Sequence, residues 1–238
     1  MVRHARRRRR PLRWLLWLPA LAVLASALQV AALRWIDPPT SAFMLQRRIE
    51  ALQQQQSGFE LRHRWQPLTR ISVQLPLAVV AAEDQRFPQH RGFDVDAIRS
   101  ALDEHGRGER LRGASTISQQ VARNLFLWNG RSWLRKGLEA WYTMLLELLW
   151  PKHRILEVYL NVAEFGDGIY GAEAAAGHFF GKPAAALTAP EAALLAAVLP
   201  NPGRLSASQP SSYVRSRQAW ILGQMRQLGG PGYLPLPD

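Results

Sequence analysis

The sequence predicts a mainly α-helical protein with one membrane-spanning helix near its N-terminus. Three observations carry this. The body is written in Ala, Leu, Glu, Gln and Arg, with apolar residues at mostly helical spacing. No run of residues alternates apolar and polar as a half-buried strand would. Trp14 to Leu33 holds twenty residues without a charged side chain, about the length of a transmembrane helix.

The elements follow in chain order. Residues 1–13 form a basic cytoplasmic segment in which Arg3, Arg6 to Arg10 and Arg13 supply seven positive charges. Without them the net charge falls from +12 to +5, so the excess belongs to this end rather than to the body. Residues 14–33 read as the transmembrane helix. The arginines ahead of it set the N-terminus in the cytoplasm, and Trp14, Trp17 and Trp35 flank the two interfaces. Two other readings exist: a signal peptide cut at Ala25-Ser26-Ala27, and an arginine-rich nucleic-acid tail. The apolar run continues past the first and lies directly behind the second, which favours an uncleaved anchor and no nucleic acid. Residues 34–66 form a connector: Ile36-Asp37-Pro38-Pro39 breaks the helix, and Ser41 to Gln56 reads as a polar helix. A compact domain runs over 67–228, and an irregular tail over 229–238. With 238 residues the chain has room for one such core. It has no cysteine, which excludes disulfides, thiol catalysis and thiolate metal sites.

Local signals mark the helix ends. Thr116 and Gln119 fit a capping box, as do Thr188 and Glu191, with Pro190 in the first turn. The second of these helices should stop before Pro200. Ser132 caps a helix carrying Arg135 and Glu139, and Pro151 ends it near Trp150.

Three clusters carry chemistry. Glu83 and Asp84 follow an uncharged wall, Leu75 to Ala82, with Phe87, His90 and Asp94 close behind. A carboxylate at the rim of an apolar wall suits general acid–base work; a helix end followed by a polar loop would look the same. Gly113 to Asn124 opens a helix with small residues and hydroxyls, which favours an anion at the N-terminus; an ordinary capped helix is the alternative. Arg135 and Lys136 reach Glu139 along one helix face; a surface ion pair is the alternative. Together these supply two glutamates, phosphate-binding cations and a helix N-terminus outside a membrane. That set suits transfer of a sugar from a lipid pyrophosphate.

The clusters resemble the motifs of the family 51 peptidoglycan glycosyltransferases, which include monofunctional biosynthetic transglycosylases and the polymerase domain of class A penicillin-binding proteins. The first matches as Glu83-Asp84-x-x-Phe87-x-x-His90-x-Gly92 and the second as Gly113-x-Ser115-Thr116-Ile117-x-Gln119-Gln120. The third matches as Arg135-Lys136-x-x-Glu139, and the fourth as Ile155-Leu156-Glu157-x-Tyr159-Leu160-Asn161 with Gly168-Ile169-Tyr170-Gly171. A fifth lies in Ala192 to Pro202, so the match covers most of residues 75–225. The chain leaves no room for a transpeptidase domain, so the monofunctional, membrane-anchored type is the nearest. Arg123 stands where the family often has lysine, and Ser118 where it often has threonine; neither change removes a charge or a hydroxyl.

The resemblance implies a lysozyme-like, two-lobed glycosyltransferase domain beside the transmembrane helix. It implies polymerisation of lipid II into β-1,4 glycan strands, with inversion and release of undecaprenyl pyrophosphate. It assigns Glu83 as general base and Glu139 to the leaving-group side. Ser115, Thr116, Gln119, Gln120, Arg123, Arg135 and Lys136 would hold the donor and its pyrophosphate. Asp84, Phe87 and His90 would shape the cleft. A divalent cation, Mg²⁺ or Mn²⁺, is implied without assigned ligands, and no organic cofactor. The partners are lipid II, the growing strand, the membrane and proteins of wall synthesis or division. The implied location is the inner membrane, single-pass, with the catalytic domain periplasmic. Two rivals share some features. A lytic hydrolase would not need the cations, and a non-catalytic scaffold would not need both glutamates in one cleft.

Overall fold

The computed structural model describes residues 12–106, 115–234 and 236. The arginines ahead of Leu12, and Gly113 of the second cluster, lie outside the described residues. The described chain is mainly helical. In order it forms α1 (Leu12–Ala32), α2 (Ala42–Gln53), β1 (Arg62–His63), α3 (Gln74–Glu83), α4 (Val95–Gly106), α5 (Ile117–Phe126), α6 (Trp133–Leu149) and α7 (Lys152–Val162). Then follow β2 (Glu164–Gly166), β3 (Ile169–Tyr170), α8 (Ala172–Phe180), α9 (Ala189–Val198) and α10 (Ser212–Gln227).

The helices assemble in two groups. In one, α3 packs against α9 and α10; in the other, α5 packs against α6 and α7. Helices α3 and α9 are central: Leu75 to Ala81 and Ala192 to Val198 are all buried. A helix apolar on every side has no solvent face to offer, so it becomes the axis of the core. Each fully buried Leu, such as Leu75, Leu77 or Leu195, contributes about 1.5–3 kcal/mol.

The helix ends fall where the sequence marks them. Thr116 and Gln119 close a reciprocal capping box at α5, and Thr188 and Glu191 do so at α9. Ser132 Oγ accepts from Arg135 N at α6. Pro151 lacks the N–H that would continue α6, which stops at Leu149. The three strands, by contrast, are not legible in the sequence. They form one sheet in the order β1-β3-β2, with Arg62 opposite Ile169 in parallel and Glu164 opposite Tyr170 in antiparallel. Strands of two or three residues are too short to show alternation.

The segment read as a connector is stitched to the body. Met44 and Ala51 of α2 are buried, and β1 pairs with β3. Asn161 of α7 accepts from Gln66 N and donates to Gln66 O, both at 2.8 Å. Glu157 accepts from Leu68 N at 2.7 Å.

The C-terminal half of α1 docks on α6. Trp150 Nε1 donates to Val30 O at 2.7 Å, and Trp141 Nε1 to Ser26 Oγ at 3.1 Å. The buried Arg154 of α7 then grips the exit of α1 through Leu33 O, Ile36 O and Asp37. Trp17, Leu18, Leu21, Leu24 and Leu28 remain exposed. Among the described residues no helix is long and apolar enough to cross a membrane; the described side chains of α1 begin at Trp17. The predicted span is thus observed as a helix, without its passage through a bilayer.

Candidate active site

Glu83 is the last residue of α3, whose apolar body is wholly enclosed. Its carboxylate therefore emerges where the buried helix meets a cavity of about 660 Å³, lined also by Ser115, Gln120, Pro200, Tyr213, Ser216, Arg217 and Trp220. Glu83 Oε2 accepts from Gln120 Nε2 at 3.0 Å. Its other oxygen lies 3.5 Å from Arg217 Nη2. Gln120 is held in turn by Tyr159, whose hydroxyl donates to Gln120 Oε1 at 3.1 Å. Burial, and then the negative charge of Glu83, raise the Tyr159 pKa well above the usual phenol range, so the phenol stays a donor.

A second cavity, of about 540 Å³, shares Gln120 and Pro200 with the first. Its wall carries Arg123, Arg131 and Arg135, with Asn124, Asn129, Tyr159, Glu164, Tyr170 and Asn201. The wall carries three guanidiniums against one carboxylate, a lining that suits an anion, although Arg135 is already paired with Glu139. Burial raises the Glu164 pKa, against the hydrogen bond that it accepts from Gly168 N. Arg135 Nη1 donates to Glu139 Oε2 at 2.7 Å, while its buried Nε has no partner.

The predicted residues thus fall into distinct roles. Glu83, Ser115, Gln120, Arg123 and Arg135 line the two cavities. Glu139 lines neither. Its side chain is 3% exposed and is occupied by Arg135 and Lys136. Lys136 is half-exposed and also lines neither cavity. Thr116 and Gln119 are buried and engaged with each other: Gln119 Oε1 accepts from Thr116 N at 3.0 Å. Thr116 Oγ1 also donates to Gly92 O at 2.6 Å, which ties the first motif to the second.

Asp84, Phe87 and His90 are buried and line neither cavity. Asp84 accepts from Ile117 N, the first residue of α5, at 2.9 Å and from His90 Nε2 at 2.9 Å. His90 Nδ1 accepts from Gly92 N at 3.1 Å, which assigns the ring proton to Nε2. This chain of bonds requires Gly92 at φ +88, where an added Cβ would lie 2.8 Å from Thr143 Cγ2.

Sequence reasoning missed the wall supplied by α10. Tyr213, Ser216, Arg217 and Trp220 stand three and four residues apart, so one helix face delivers them to Glu83. That spacing was visible, but no other cluster stood near it. Arg131 and Asn201 sit in the segments next to α6 and α9 and gave no periodic signal.

Among the described residues no three His, Asp or Glu side chains converge on a metal-sized position, and Glu164 is the one carboxylate on the wall of the second cavity, so a divalent cation there would rest mainly on the substrate's own phosphates.

A family model described as Transglycosylase matches residues 49–226. The chain is 62% identical over 236 residues to a biosynthetic peptidoglycan transglycosylase of Xanthomonas campestris pv. campestris (strain B100), covering 99% of this chain and 96% of the relative. It is 59% identical over 220 residues to a protein of the same name from Stutzerimonas stutzeri (strain A1501), covering 92% of this chain and 89% of the relative.

Proposed function

This chain belongs to the transglycosylase family, and from that premise we infer that it polymerises glycan strands in peptidoglycan synthesis. The single observation that carries the chemistry is the junction at Gln120. That side chain donates to Glu83 in one cavity, and it also lines the other cavity beside Arg123 and Arg135.

In this reading the donor is a growing strand on undecaprenyl pyrophosphate, with its diphosphate against Arg123, Arg131 and Arg135. The acceptor is lipid II, with its 4-hydroxyl facing Glu83. As the acceptor oxygen attacks the anomeric carbon, its proton passes to the Glu83 carboxylate. The new C–O bond forms on the face opposite the breaking one, and the diphosphate leaves with the electron pair. An α-linked donor therefore gives a β-linked product, and the enzyme inverts. The diphosphate departs into a preset field of guanidiniums, the kind of electrostatic stabilisation that costs no reorganisation. Glu139 acts at one remove, by holding Arg135 and Lys136. Arginine supplies neutralising charge, and a divalent cation bound to the diphosphate would add to it.

The same reading sets the protein on the inner membrane as a single-pass anchor, with the catalytic body outside and inside a lysozyme-like, two-lobed frame. Two helix groups around the paired cavities support the frame. The anchor is supported by the twenty uncharged residues from Trp14, and its retention past Ser26 by the Trp141 and Trp150 bonds. Trp133 at 93% exposure, Leu134, Met144 and Leu148 leave an exposed apolar surface on α6, which in this reading would meet the bilayer.

The full-length protein, incubated separately with lipid II and with finished cell wall, tests the reaction class. Lengthening strands from lipid II are the expected product. Shortened wall fragments and no polymer would instead indicate a hydrolase.

A further inference from the structure

Helix α10 turns two faces to its surroundings. Val214, Ile221 and Met225 are buried against the core. Beside them, Tyr213 and Trp220 remain 56% and 47% exposed although both line the Glu83 cavity. Seven residues apart on a helix, the two rings share a face with Arg217 between them. The Arg217 guanidinium carbon lies 6.0 Å from the Trp220 ring centre, while Nη2 faces Glu83 and the buried Nε has no partner. Large aromatic rings left open beside a catalytic carboxylate have an unmet binding capacity. Their electron-rich faces suit the C–H-lined face of a pyranose, and the partly exposed Arg217 guanidinium faces the same cavity.

We propose that Tyr213 and Trp220 form the platform on which the acceptor's N-acetylhexosamine lies, with Arg217 as the positioning residue that fixes Glu83 beneath its 4-hydroxyl. This rests on the polymerase reading above and specifies its acceptor side. The cavity has the volume, at about 660 Å³, for a sugar ring. The donor side is lined by a different set, in which Gln120 and Pro200 are the shared members. The platform therefore serves one substrate and not the other.

The test separates the two substrates. Lipid II capped at its 4-hydroxyl can only donate, and labelled lipid II is then varied as acceptor at saturating capped donor. Tyr213→Ala and Trp220→Ala should each raise the acceptor KM about tenfold, the loss of one aromatic contact, and leave the capped-donor KM unchanged. Trp220→Phe should restore most of the acceptor KM, and thermal melting reports that each variant is folded. Arg217→Lys should lower kcat while the acceptor KM stays near that of the parent, because the group that holds Glu83 has moved and the aromatic rings have not. An unchanged acceptor KM in folded alanine variants, or an equal rise for donor and acceptor, overturns the platform while leaving polymerisation standing. Wild-type protein that couples no lipid II overturns the polymerase reading and the platform with it.

Discussion

At the residue scale the two glutamates are made different by their surroundings. Glu83 closes a buried helix and opens into a cavity, so its carboxylate can meet a substrate. Glu139 is enclosed and already paired with two cations. Its contribution is to hold Arg135 at the anion cavity, and the physical consequence of losing it follows from burial. Glu139→Gln leaves the Arg135 guanidinium without its counter-charge, and its Nε has no partner to compensate. Stability should fall by about 3 kcal/mol, read as a lower denaturation midpoint, together with weaker donor binding. A variant as stable as the parent would show that Lys136 and Arg135 do not depend on that charge. Sequence alone could propose both carboxylates as a pair, but it could not tell an open group from a closed one, because burial is set by helices far away in the chain.

At the element scale, most of the framework was legible. The caps at Thr116, Ser132 and Thr188 and the stop at Pro151 depend on residues three or four positions apart, which the sequence shows directly. The cap at Thr116 also shows the limit of that legibility. Its hydroxyl and the Gln119 amide looked like donors for a phosphate, yet they are used to start the helix that carries Gln120 and Arg123. Strand β1 was not legible, because its pairing comes from β3 more than a hundred residues later. It brings a titratable group into a half-buried position. Burial, reinforced by Arg48, lowers the His63 pKa below its usual 6.5, against a hydrogen bond to the Asn161 carbonyl, and its Nε2 lacks a partner. A depressed folded pKa means that the unfolded chain binds the proton more readily. The stabilising term is therefore present above pH 6.5 and is lost as the pH falls through the folded value. Melting temperatures of His63→Asn, which keeps a donor for Asn161, should decline less between neutral and mildly acid pH than those of the parent. Parallel curves would remove His63 from the account.

At the scale of the whole molecule, the site exists because two helix groups meet. One brings Glu83 and Arg217, the other Gln120, Arg123 and Arg135, and α1 is clamped to the second group through Trp141, Trp150 and Arg154. That clamp would hold the anion cavity at a fixed height above the bilayer from which a lipid-linked donor rises. Alkaline or high-salt washing should leave the protein in the membrane fraction; release under either condition would contradict the anchor. The central claim is that Glu83 takes the proton from the attacking hydroxyl while arginines receive the departing diphosphate. It is tested most directly by the rate of glycan assembly from lipid II with Glu83→Gln. The amide keeps the shape and cannot accept the proton, so the rate should fall by about 10²–10⁴-fold while the melting temperature stays near that of the parent. Glycan assembly by Glu83→Gln at the parent rate would contradict the assignment.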